Sequence, residues 1–88
     1  MNSASANTGN MSFDSDLVTE IELLLKFPDS SMEGLKVHHT ADASVIEAAR
    51  RLHEKGLVTH HDGGYLTDLG REAADSASFL LGLLSPVD

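Results

Sequence analysis

Residues 51–70 read RLHEKGLVTHHDGGYLTDLG, from Arg51 to Gly70, and this stretch decides the fold. Gly56 follows Leu52 and Lys55 where a helix needs a left-handed residue just past its end, so a helix stops there. Leu57-Val58-Thr59-His60-His61 and Tyr65-Leu66-Thr67 flank Asp62-Gly63-Gly64, which reads as a β-hairpin. Asp-Gly suits a two-residue turn and Gly-Gly a three-residue loop. The two options shift the pairing register and leave open which of His60 and His61 faces the core. Thr67 or Asp68 then caps a further helix.

Working upstream, Asp42 to Lys55 reads as a helix with Asp42 as N-cap. Ser44-Val45-Ile46-Glu47 also matches a capping box two residues later. Val45, Ala49 and Leu52 form its buried stripe, flanked by Ile46, Ala48 and His53. Leu35-Lys36-Val37-His38 alternates apolar and polar, as a short strand would. Asp29 to Gly34 reads as a turn or one short helical turn. Ser12 to Phe27 reads as the first helix, capped by Ser12, with Phe13, Leu17, Ile21, Leu24 and Leu25 on one face and Pro28 ending it. Residues 1–11 are Ser, Ala, Asn, Gly and Thr with little else, and read as a flexible leader ahead of one domain over 12–85. Met1 and Met11 both remain open as starts. Downstream, the last helix runs to about Leu84, with Leu69, Ala73, Ala77, Leu80 and Leu84 inward and Ser85-Pro86 as its stop.

Composition narrows the function classes. Eighty-eight residues suffice for one small domain, not for two lobes around a substrate cleft. There is no Cys, so no disulfide, zinc thiolate or Cys nucleophile is available. No apolar run approaches the length of a membrane span, and the first ten residues lack the basic start and apolar block of a signal peptide, so a cytoplasmic protein is expected. No glycine-rich phosphate loop or nucleophile elbow occurs, and an enzyme is not expected. The net charge is −8. Residues 1–34 hold one basic group against six acids, residues 35–62 four against four, and residues 63–88 one against four. All five histidines, His38, His39, His53, His60 and His61, lie in the neutral middle, which gains positive charge as imidazoles protonate.

Leu52, Gly56, Leu57, Val58, Leu66, Thr67 and Gly70 together resemble the second half of the winged-helix domain of bacterial regulators such as the MarR family. There the recognition helix ends in Leu-x-x-x-Gly-Leu-Ile/Val, the wing follows, and Leu-Thr-x-x-Gly opens the next helix. From about Met11 onward the chain also resembles a small family of uncharacterised bacterial proteins described only as candidate DNA-binding proteins. Lys36-Val37-His38-His39, Arg51 to Leu57 and Asp62 to Thr67 carry that likeness. The resemblance implies an α+β, mostly helical, winged helix-turn-helix-like domain with a short hairpin wing. It implies DNA binding and transcription regulation, or a winged-helix protein-interaction module without DNA. One departure is visible: Asp29 to Thr40 leaves room for at most one turn where a positioning helix belongs.

On this reading Arg50, Arg51 and Lys55 on the outward face of helix 42–55 supply DNA contacts, with Lys36, His60 and His61 in support. The same face carries Glu47 and Glu54, and Glu47 can pair with Arg50 or Arg51 and Arg50 with Glu54, which would neutralise it. Adjacent histidines on a strand point to opposite faces and no H-x-x-x-H spacing occurs, so neither a metal nor another cofactor is expected. The last helix carries an apolar arc wider than one packing face needs. Phe79, Leu81, Leu83 and Leu84 are therefore expected to form a homodimer interface.

Overall fold

The computed structural model describes residues 13–28 and 33–86. Its elements follow the order α1 (Ser15–Lys26), β1 (Leu35–Lys36), α2 (Ala43–Glu54), β2 (Val58–His60), β3 (Gly63–Leu66) and α3 (Asp68–Leu84). The fold is α+β and mostly helical, with three helices and one antiparallel sheet of order β1-β3-β2. The leader, the Ser12 cap and most of the turn expected at 29–34 lie outside the described residues.

α1 starts at Ser15 because the Asp14 side chain accepts the Leu17 N–H at 2.9 Å. Phe13 therefore precedes the helix and is exposed, against the expectation that it packs inward. The buried positions of α1 are Glu20, Leu23 and Leu24, followed by its C-cap Phe27, whereas Leu17, Ile21 and Leu25 are only half-buried. The stripe is thus rotated from the expected one, and it contains a carboxylate. α2 follows the expected bounds, with Asp42 as N-cap. Ala48, Ala49 and Leu52 face the core, Val45 packs at its edge and His53 is exposed. Two of these three buried residues are alanines, so α1 and α2 lie close together. Their contact, with Val58 of β2 beneath it, is the centre of the core.

Gly56 takes φ +80° and turns the chain out of α2, as the sequence predicts. Leu57 N–H reaches back to the Leu52 carbonyl at 2.9 Å. The hairpin pairs Val58 with Leu66 and His60 with Gly63, so the turn residues are His61 and Asp62, not Asp62-Gly63. Between these pairs β2 advances two residues and β3 three, which makes a bulge. Tyr65 N–H accordingly donates to Thr59 Oγ1 at 3.0 Å. The glycines serve the other edge of β3. At Gly63 a Cβ would sit 2.3 Å from the Leu35 carbonyl oxygen, so only glycine lets β1 pair there. His60 and His61 are both exposed, and neither faces the core.

Thr67 joins the hairpin to α3. Its hydroxyl donates to the Gly56 carbonyl at 2.6 Å and accepts the Gly70 N–H at 3.0 Å, while its own N–H bonds the Leu57 carbonyl at 3.1 Å. One side chain caps α3 and ties it to the end of α2. α3 packs through Gly70, Ala73, Ala74 and Ala77. Leu69, Leu80 and Leu84, expected inward, are exposed instead. Leu80 and Leu84 lie on the packing stripe beyond Ala77, whereas Leu69 is turned aside at Gly70, where a Cβ would fall 1.9 Å from the Leu57 carbonyl oxygen. That contact fixes the rotation of the helix and leaves Leu69 beside the contact rather than in it. Among the described residues, no helix is long and apolar enough to cross a membrane.

Replacing Thr67 by Val should lower unfolding free energy by about 1–2 kcal/mol in urea titrations, with Thr67→Ser close to wild type. Gly70→Ala should cost about 2–3 kcal/mol through overpacking, whereas Gly82→Ala, with open space around it, should add up to about 1 kcal/mol.

Candidate functional site

Of the groups expected to contact DNA, Arg50, Arg51 and the C-cap residue Lys55 fall into two sets at α2. Arg50 lies on the exposed face between two carboxylates. Its Nη1 bonds Glu54 Oε2 at 2.7 Å, its Nε bonds Glu47 Oε1 at 3.1 Å, and its Nη2 also bonds Glu47. The hydrogen bond and charge of Glu47, reinforced by Glu54, raise the Arg50 pKa above its ordinary value. The expected pairing of Glu47 with Arg50 and of Arg50 with Glu54 is present.

Arg51 and Lys55 behave differently. They lie one turn apart and both point toward α1, where each holds one oxygen of Glu20. Arg51 Nε donates to Glu20 Oε2 at 2.7 Å, and its Nη2 reaches the Asp16 carbonyl at 3.4 Å. Only 6% of the Glu20 side chain and 24% of the Arg51 side chain are exposed. Burial opposes ionisation of the Glu20 carboxyl, but the hydrogen bonds and charges of Lys55 and Arg51 outweigh it and hold its pKa below the ordinary value. The Arg51 pKa is raised by its hydrogen bond to Glu20, against burial. Arg51 is therefore half-buried, not on the outward face where the sequence reading put it.

The hairpin offers little positive charge in compensation. Lys36 on β1 lies 3.7 Å from Asp62 at the turn. His60 Nδ1 is 2.8 Å from Thr59 Oγ1, and His61 is exposed on the rim of a cavity of about 230 Å³. Val37, Ile46 and Ala49 floor this cavity, with Lys36, His39 and Asp62 also on its rim. Among the described residues, no group of three or more His, Asp or Glu side chains is gathered to hold a metal ion. Phe79, Leu81, Leu83 and Leu84 are all exposed near the end of α3, joined by Leu80.

The residue that sequence reasoning missed is Glu20. The signal was present, because Glu20, Leu23, Leu24 and Phe27 follow the i, i+3, i+4, i+7 pattern of a helix stripe. A carboxylate within such a stripe needs a cation opposite, and Arg51 with Lys55, spaced i and i+4, is a matched pair.

A family model described as "Family of unknown function (DUF5669)" matches residues 11–85, and the chain belongs to that family. No curated protein matches the chain, and no solved structure does.

Because the folded-state pKa of Glu20 is depressed, its contribution to stability is present above the ordinary carboxylate value of 4.5 and is lost as pH falls below it. Thermal unfolding followed from pH 7 down to pH 3 should show this loss. Glu20→Gln should lower stability by about 2 kcal/mol at neutral pH and flatten the acid limb of the profile.

Proposed function

For a member of this family, we propose a winged-helix-like module that works by contacting protein rather than by reading DNA through α2. The element order, with a short strand, a helix, a hairpin and a Thr-capped last helix, supports the winged-helix-like frame, as does the β1-β3-β2 sheet. In place of a positioning helix the chain makes a single turn, closed by Ala41 N–H to the His38 carbonyl at 3.0 Å. An α2 used for DNA would lack the element that docks across the phosphate backbone.

The carrying observation is the attachment of Arg51 and Lys55 to Glu20. With Arg50 they make three cations, and Glu20, Asp16, Glu47 and Glu54 lie against them. A phosphate approaching this face meets no net positive charge, and taking Arg51 would strand a buried carboxylate. The exposed apolar end of α3 offers the better contact surface, since apolar side chains gathered in one patch on a small domain mark a binding face.

One observation favours DNA binding as a second reading. The Arg50 and Lys55 side chains are 50% and 51% exposed, so phosphates can compete for them at low salt, with Lys36, His60 and His61 in support. Fluorescence anisotropy with pooled genomic fragments, at about 50 mM salt and near pH 6, separates the readings. The protein-contact reading expects no saturable binding by the wild-type chain. It also expects a gain of weak, salt-sensitive binding when Glu47 and Glu54 both become Gln and release Arg50. Saturable wild-type binding that Arg50→Glu abolishes would overturn it in favour of a regulator-like role.

A further inference from the structure

We propose that the C-terminal half of α3 is the interface with a second copy of this chain. The proposal rests on the reading of α3 as the contact surface and names what covers it.

The stripe of α3 that faces the core runs through Gly70, Ala73 and Ala77 and continues at the same helical angle through Leu80 and Leu84. Its residue size changes along the way. The positions that meet α1 and the hairpin are Gly and Ala, as a close helix contact requires. Beyond Ser78 they become Leu, with Phe79, Leu81 and Leu83 alongside. These five large side chains are between 50% and 72% exposed. A helix that merely ended in solvent would have no use for large apolar groups on its packing stripe. These have the size and spacing to fill a gap between two helices, and among the described residues they stay exposed.

Two further observations point to a second copy as the occupant. Residues 76–86 carry no charged side chain, in a protein of net charge −8. Two copies repel over most approaches, and this segment lets them meet without opposing carboxylates in the contact. The five side chains expose on the order of 500 Å² of apolar surface, comparable to functional patches on monomers and, with the flanking turn, to most of one side of a standard interface. A twofold axis near Leu80 and Leu84 sets the same stripe against itself, each Leu filling the space between two from the other copy.

Sedimentation velocity of the full chain from low to high micromolar concentration tests this. The wild-type chain should dimerise. Leu84→Glu and Leu80→Glu should each weaken dimerisation about a hundredfold or more, because a twofold axis brings each substitution into the contact twice. Both sites are exposed in the single chain, so the far-ultraviolet circular dichroism of the diluted variants should match wild type. Gly82→Glu adds the same charge on the opposite side of the helix, in open space, and should leave the dimer intact. A wild-type chain that stays monomeric throughout overturns the proposal, and so does a dimer that both Leu variants preserve. Neither result touches the anisotropy measurement on α2, so failure of the self-association and failure of the protein-contact reading are told apart.

Discussion

The buried carboxylate of Glu20 is the constraint on which the arrangement of the molecule depends. An ion in the contact between two helices is tolerated only when its partners are in place, and here both oxygens are taken, one by Arg51 and one by Lys55. Those partners come from successive turns of α2. The pairing therefore fixes both the rotation of α2 and its position along α1. The apolar part of the same face, Ala48, Ala49 and Leu52, has one large side chain. The gain is chiefly in geometry, because the Coulomb attraction is largely spent on desolvating the charges.

Fixing α2 in this way has a functional consequence. The two cations that would otherwise accompany Arg50 toward solvent are drawn to the α1 side. The outward face keeps Glu47, Arg50 and Glu54, which neutralise one another along the helix. The orientation that secures the core is thus the same one that removes positive charge from the surface a nucleic acid would need. A basic recognition helix and this α1–α2 contact compete for the same side chains, and in the folded chain the contact holds them.

Backbone punctuation was legible in the sequence. Gly56 requires a left-handed residue after α2, Asp42 and Thr67 are cap residues at helix starts, and the hairpin between them follows from Gly63 and its flanking apolar runs. These signals are local; Gly56 and Thr67 act directly, whereas Asp42 holds the N-cap position without a side-chain hydrogen bond. Rotations of helices about their own axes were not legible, because a neighbour decides them. α1 turns to bring Glu20 to Arg51, and α3 turns because the Gly70 backbone abuts the Leu57 carbonyl. The hairpin turn falls one residue earlier than Asp-Gly suggests, since Gly63 is needed where β1 pairs. In the candidate site, the positions of Arg50, Glu47 and Glu54 could be read from helical spacing alone. The inward placement of Arg51 could not be read until the helix opposite it was known.

The same dependence on neighbours explains the two halves of α3. Where the helix lies against the domain, its side chains are as small as they can be, and burying Gly70, Ala73, Ala74 and Ala77 yields little apolar area per residue. The core is correspondingly lean: Leu23, Leu24, Phe27, Ala48, Ala49, Leu52 and Val58 are its buried apolar residues among those described. A domain of this size has little stability to spare, yet Leu80, Leu81, Leu83 and Leu84 stand outside that core on the last two turns of α3. Apolar area left in water gives no stabilisation to one chain and considerable stabilisation to two. In the proposed dimer, folding and association would be supported by the same helix. Its first half is small enough to let the domain close, and its second half is large enough to give a second domain something to close upon.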